Sequence, residues 1–126
     1  FVVHIVLPKP PTRAGDAYLR FIPRTEMDIA VVGAGISLSL NDDGTCAAVR
    51  MVLGAVAPTA RLVEAASNIL VGNKLDDAVL EELASAASDV CSPIDDKRGT
   101  IEFRTKVAGV LARRAAAIAW QRAEKE

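Results

Sequence analysis

The 126-residue sequence predicts an α+β domain: a two-layer sandwich in which three helices pack on one face of an antiparallel sheet of three or four strands. Two observations carry this. Apolar residues alternate with a period of two over residues 27–40 and again over residues 45–56, and from Pro58 onward the period lengthens to that of helices. Strands first and helices afterwards is the order of a sheet covered on one side.

The first long strand, over residues 27–40, places Ala30, Val32, Ala34, Ile36, Leu38 and Leu40 on one face and Gly33, Gly35, Ser37 and Ser39 on the other. Asn41-Asp42-Asp43-Gly44 then predicts a hairpin, because Asp-Gly supplies the positive φ that tight turns require. The returning strand, over residues 45–56, sets Ala47, Val49, Met51, Leu53 and Ala55 on its inner face. The other face of this sheet carries Gly33, Gly35, Ser37, Ser39 and Arg50, so it is partly polar or touches another domain. Upstream, residues 12–16 are turn-like, and Ala17-Tyr18-Leu19-Arg20-Phe21-Ile22 forms a short element of undetermined type ending at Pro23.

Three helices follow. Leu62, Val63, Ala66, Ile69 and Leu70 form a stripe that stops at Gly72-Asn73, residues suited to a C-terminal cap. A second helix starts at Asp76-Asp77, acids placed where a helix N-terminus prefers them, and buries Val79, Leu80, Leu83, Ala87 and Val90 before Ser92-Pro93 ends it. The third follows Gly99 with Thr100 as N-cap and Phe103, Val107, Val110, Leu111 and Ile118 on its apolar side, fraying into the polar tail 123–126.

Composition narrows the function classes. With 51% hydrophobic residues but few aromatics, one core must be built from Ala, Val, Leu and Ile. A net charge of −1 offers no basic field to displace counterions from phosphates, which argues against a nucleic-acid partner. Apolar runs fall well short of the about 18 to 20 residues a bilayer span needs, and nothing in the sequence reads as export, so a cytoplasmic location is expected. Cys46 and Cys91 have no close pair and read as buried reduced thiols. With His4 the single histidine, neither a His/Cys metal site nor a Ser/His/Asp triad can be assembled. The apolar run at residues 1–7, closed by Pro8-Lys9-Pro10-Pro11, reads as a strand and linker left from a preceding domain, so a fragment is expected.

Two motifs invite catalytic or nucleotide roles. Val31-Val32-Gly33-Ala34-Gly35 lacks the third glycine of the dinucleotide fingerprint, since Leu38 stands in its place and strand alternation continues past it. Its glycines instead mark a bulge or the close approach of another backbone. Asp95 and Asp96, beside Lys97 and Arg98 at a helix entry, cap and pair around the third helix rather than perform acid–base work.

Three words in order carry a family resemblance: Arg24-x-x-x-Asp28-Ile29-Ala30, Gly54-Ala55-Val56-Ala57-Pro58-Thr59, and Pro93-Ile94-Asp95-Asp96-Lys97-Arg98-Gly99-Thr100-Ile101-Glu102-Phe103-Arg104. Together they resemble the C-terminal domain of the FAD-binding (medium) subunit of molybdenum hydroxylases, the aerobic carbon monoxide dehydrogenase and xanthine dehydrogenase group. The resemblance covers nearly the whole chain. It implies a supporting role in electron transfer from a molybdenum cofactor, through [2Fe-2S] clusters, to FAD and an acceptor. It also implies that residues 1–11 end a preceding FAD-binding domain and linker, that residues 12–126 form the C-terminal domain, and that the partners are a molybdenum-binding large subunit and an iron–sulfur small subunit. FAD is expected in the intact subunit, not in this chain alone.

Arg20, Arg24, Glu26 and Asp28 cluster beside the start of the long strand. The resemblance places a flavin-contacting Lys of relatives at Arg20, where Arg keeps the charge but changes its shape. Arg20, Arg24 and Asp28 are therefore the candidate cofactor-binding residues. An acidic residue that approaches the flavin in animal xanthine dehydrogenases falls on Met27, so that role does not carry over. The competing expectation is a stand-alone interaction module of this fold without flavin chemistry.

Overall fold

The computed structural model describes residues 1–25 and 27–125. Its elements are β1 (Ala14–Phe21), β2 (Val32–Leu40), β3 (Cys46–Gly54), β4 (Arg61–Leu62), α1 (Ala65–Leu70), α2 (Asp77–Asp89) and α3 (Ile101–Lys125). The strands form one antiparallel sheet in the order β1-β2-β3-β4, and α3 lies along β1 and β2 while α1 packs on β3 and α2 on α3. This is the expected α+β sandwich with a four-stranded sheet.

The hairpin between β2 and β3 forms where the sequence places it. Gly44 has φ +82°, and the Asp43 carboxylate accepts from the Thr45 N–H at 2.8 Å and hydroxyl at 2.6 Å, closing an Asx turn. The alternation of β2 holds: Val32, Ala34, Ile36, Leu38 and Leu40 are all buried. The strand nonetheless begins at Val32 rather than at 27. β1 ends at Phe21, opposite Val32, so residues 27–31 have no strand to pair with and belong to the connecting loop.

β3 departs from simple alternation. The register pairs Ser39 with Ala48 and Leu40 with Cys46, leaving Ala47 as the extra residue of a bulge. Cys46 thereby takes the core position expected of Ala47, which is exposed. Ala55, expected on the inner face, leaves the strand at φ 62° and is exposed. Leu62 was expected in the first helix; it pairs with Val52 in β4, and α1 is shorter than its stripe, starting at Ala65. At the far end of α1, Gly72 (φ +81°) donates to Cys46 O at 2.8 Å and Cys46 N donates to Asn73 O at 2.9 Å, which stitches the helix cap to the bulged strand.

α2 has the expected N-cap, with Asp76 accepting from Val79 N at 2.8 Å, and Leu83 and Ala87 as its fully buried contacts. α3 is capped by Thr100, whose hydroxyl accepts from Phe103 N at 3.1 Å, and its inner face is the expected one in part: Leu111 is buried and Val107 and Ile118 pack against the core. Phe103 and Val110 are exposed, while Ala108, Ala112, Ala115, Ala116, Ala119 and Ala123 are completely buried. An alanine face lets the helix axis approach the sheet closely. A Cβ at Gly15 of β1 would stand 2.0 Å from Ala119 O and 2.7 Å from Ala123 N. This contact also holds the end of α3 in place, so the helix runs to Lys125 instead of fraying at Ala123. Glu126 of the expected tail lies outside the described residues.

Residues 1–11 join no ladder, so the strand expected over residues 1–7 does not form within this chain.

Candidate functional site

The sheet face turned away from the helices is assembled from three cross-strand rows. Asp16, Ser37 and Arg50 form one; Tyr18, Gly35, Val52 and Leu62 the next; Arg20, Gly33 and Gly54 the third. Side chains of one face fall two residues apart, so this face presents a phenol and guanidinium groups above a floor of glycine and serine.

Tyr18 explains the glycines. A Cβ at Gly33 would lie 2.8 Å from the Tyr18 hydroxyl and 3.3 Å from Cε2, and one at Gly35 would lie 3.5 Å from Cδ2. The ring therefore lies across both residues with its hydroxyl toward Gly33, and 65% of Tyr18 stays exposed. The expected approach of another backbone, or a bulge at these residues, is replaced by an aromatic side chain from the neighbouring strand. Nothing in the spacing of Tyr18 signals this, because the element holding it has no sequence-defined type.

Arg20 stands on the same face, opposite Gly33. Arg24 and Asp28 meet in the loop that follows: Arg24 Nη2 donates to Asp28 Oδ1 at 2.7 Å and Nε to Oδ2 at 3.1 Å, a two-pronged guanidinium–carboxylate pair. Asp28 N also donates to Thr25 O at 3.1 Å, closing a turn. The hydrogen bonds from Arg24 hold the Asp28 carboxyl below the usual carboxylate range and raise the guanidinium in return. The Asp28 side chain is almost fully covered while that of Arg24 is open to solvent. Structure thus brings Arg24 and Asp28 together as a loop clasp, while Arg20 stands on β1. Glu26 of the same cluster lies outside the described residues.

A buried cation anchors this loop from the other side. Arg104, with 5% of its side chain exposed, donates to Val31 O at 2.8 Å, to Asp96 Oδ1 at 2.6 Å and to Gly99 O at 3.3 Å. Val31 N in turn donates to Phe21 O at 2.9 Å. The loop over residues 22–31 is therefore fixed at its junction with β2 by the first turn of α3. Sequence reasoning placed Arg104 only inside a family word. The available signal was one arginine in the helical stripe Arg104, Ala108, Leu111, Ala112 and Ala115, a position that demands a partner when buried.

Asp95 and Asp96 act as expected. Asp95 accepts from Ile101 N at 2.5 Å, and Asp96 accepts from Arg98 N at 2.8 Å as well as from Arg104. The Arg98 amide first, and Arg104 second, hold Asp96 below the normal carboxylate range, which is the signature of a structural acceptor rather than of a proton donor near neutral pH. Cys46 and Cys91 are free, and burial pushes both thiols up, away from nucleophilic thiolates. Among the described residues no group of three His, Cys, Asp or Glu side chains is placed to hold a metal, and no helix is long and apolar enough to cross a membrane.

Comparison with known proteins agrees with this architecture. The family model described as "CO dehydrogenase flavoprotein C-terminal domain" matches residues 17–119. The carbon monoxide dehydrogenase medium chain of Afipia carboxidovorans is 38% identical over 120 residues, which is 95% of this chain and 41% of that protein. The alpha subunit of the 6-hydroxypseudooxynicotine dehydrogenase complex of Paenarthrobacter nicotinovorans is 28% identical over 122 residues, which is 97% of this chain and 41% of that protein. A solved carbon monoxide dehydrogenase from Hydrogenophaga pseudoflava, lacking the Mo-pyranopterin moiety of its molybdenum cofactor, superimposes with a TM-score of 0.86 at 33% identity, over 92% of this chain and 40% of the other. The chain thus spans about two fifths of the length of the relatives it matches. By sequence and by fold, it belongs to the CO dehydrogenase flavoprotein C-terminal domain family.

Proposed function

We propose that this chain is the C-terminal domain of the medium, FAD-carrying subunit of a molybdenum hydroxylase, where it closes over the flavin end of the cofactor and supports electron transfer to an acceptor. The observation that carries this is the open sheet face, where the Tyr18 ring lies over two glycines in the row next to that of Arg20. An exposed aromatic face suits a planar conjugated ring, and a guanidinium suits the carbonyl edge of one. Arg24 and Asp28 serve the same site by clasping the loop that follows Arg20.

The phosphate end of FAD does not fit this domain. Helix N-termini hold pyrophosphate through free amides, but here Asp76 and Asp77 occupy that of α2 and Asp95 and Glu102 that of α3. The residues present therefore favour contact with the ring alone, with the dinucleotide held by a preceding FAD-binding domain that residues 1–11 would join. FAD, when bound, takes up electrons arriving from iron–sulfur centres and releases them to the acceptor. In this proposal the molybdenum cofactor and the [2Fe-2S] clusters belong to the large and small partner subunits, and the large subunit selects the substrate. The assembly would work in the cytoplasm.

FAD dissociation from the intact subunit tests the assignment. Arg20→Ala should weaken retention about tenfold or more, as loss of a charged hydrogen bond does. Arg24→Ala, which opens a solvent-exposed clasp, should change it by about twofold at most. Equal, unaltered affinities in both variants would remove Arg20 from the site.

A further inference from the structure

We infer that Phe103 is a positioning residue for Arg20: the first turn of α3 grips the end of β1 from the helix side and so sets where the Arg20 guanidinium stands on the open face. The inference rests on the flavin reading of Arg20 and adds to it the residue that holds that group in place. β1 is an edge strand that pairs with β2 alone, and it stops one residue beyond Arg20. The end of such a strand is where a sheet opens first. In its row Arg20 stands opposite Gly33, and Gly33 opposite Gly54, so the strand backbone rather than a cross-strand side chain sets where the Arg20 stem begins.

Phe21 is the handle. It follows Arg20 in β1 and turns to the opposite face, with Ala17 and Leu19, toward α3. There its ring meets that of Phe103 edge to face, with centroids 5.9 Å apart and planes inclined at 66°. Gly99 backs the Phe103 ring in turn: a Cβ on Gly99 would lie 3.0 Å from Phe103 Cδ1 and 3.6 Å from Arg104 Cγ, so the ring lies close over a residue without a side chain. Gly99 is itself fixed against Asp96 by two backbone hydrogen bonds, each of 3.2 Å.

Arg104 completes the grip through the backbone. Both main-chain polar groups of Val31 are engaged: its N–H donates to Phe21 O at 2.9 Å, and its carbonyl accepts from Arg104 Nη1 at 2.8 Å. Phe21 is therefore held by its ring and by its carbonyl, both traced to one turn of α3, and the residue before it is Arg20. Aromatic pairs favour particular ring geometries, so this contact fixes orientation as well as distance. Phe21 and Phe103 keep 36% and 42% of their surfaces exposed, so the pair carries a small share of the core and its loss should spare the fold.

FAD dissociation from the intact subunit, followed by the visible absorption of the bound flavin, tests this with Arg20→Ala, Phe103→Ala and their double variant, melting being recorded for each. Phe103→Ala should weaken retention about three- to tenfold, as coupled neighbours do, and should shift the flavin absorption in the same direction as Arg20→Ala. Phe103→Leu, which keeps apolar bulk but no ring edge, should act in the same sense with less cost to folding, and Phe103→Tyr, which keeps the ring, should retain FAD like the parent. The double variant should lose no more than Arg20→Ala alone, because a positioning contact has no effect once the group it positions is gone. Losses that multiply in the double variant, or unchanged retention in Phe103→Ala and Phe103→Leu while Arg20→Ala releases FAD, overturn this inference and leave the flavin reading standing. Unchanged retention in Arg20→Ala removes the flavin reading and this inference with it.

Discussion

Arg104 is the residue whose removal should reveal most about how this fold is held. Its side chain is 5% exposed and makes three hydrogen bonds, one of them an ion pair with Asp96 at 2.6 Å. Truncation leaves Val31 O, in a residue with no solvent exposure, without its donor, while Asp96 keeps the Arg98 amide and solvent. Leaving a buried acceptor without its donor costs about 1–3 kcal/mol. In a domain of this size each kcal/mol shifts melting by roughly 3–5 °C, so Arg104→Ala should lower the melting temperature by roughly 3–15 °C. Arg104→Met keeps the packed stem and should recover only the packing part of that loss, whereas Arg104→Lys keeps the charge but cannot reach both Val31 O and Asp96 with a fork. Thermal unfolding by circular dichroism at two salt concentrations is the assay, since salt screens the Asp96 ion pair at the surface and leaves the buried bond to Val31 O untouched. If Arg104→Met melts within about 3 °C of the parent, the network contributes little net stability and the argument fails.

Gly15→Ala should be among the most damaging single-methyl additions, because the new Cβ meets the backbone of α3 at 2.0 Å; a loss of about 3 kcal/mol or more in denaturant unfolding is expected, as for severe overpacking. Gly33→Ala meets only the Tyr18 side chain, which can swing into solvent, and removal of a strand glycine returns about 0.5–1 kcal/mol, so melting should stay nearly unchanged while FAD retention by the intact subunit falls. Asp28, Asp43 and Asp96 all titrate below their ordinary range in the folded chain, so each binds protons less readily when folded than when unfolded. Their stabilisation is complete above the unfolded carboxylate value of about 3.9 and is lost as pH falls through the lowered folded values; Asp28→Asn should flatten part of that acid limb, as read from melting against pH. The chain alone, with no amide cradle for pyrophosphate, should elute from gel filtration without bound flavin, and a retained flavin absorbance would count against the proposed division of the site.

The sequence by itself determined the order of strands and helices, the inner face of β2, the Asp-Gly hairpin, and the caps Asp76, Thr100 and Asp95. Each depends on residues within a few positions of one another, where periodicity and turn chemistry act directly. The family words were equally legible, and they identified the family to which the chain belongs. Tertiary structure decided the rest. The bulge at Ala47 arises from pairing between two strands, and no single-strand pattern reveals which residue will be skipped. The buried face of α3 is mostly alanines, whose weak hydrophobicity hides them beside Phe103 and Val110; only the close approach of helix to sheet at Gly15 selects the alanine stripe. Tyr18 covers Gly33 and Gly35, and Arg104 reaches Val31, 73 residues away. Such contacts join distant parts of the chain, and their energy depends on distances that exist only after the sheet and helices have packed.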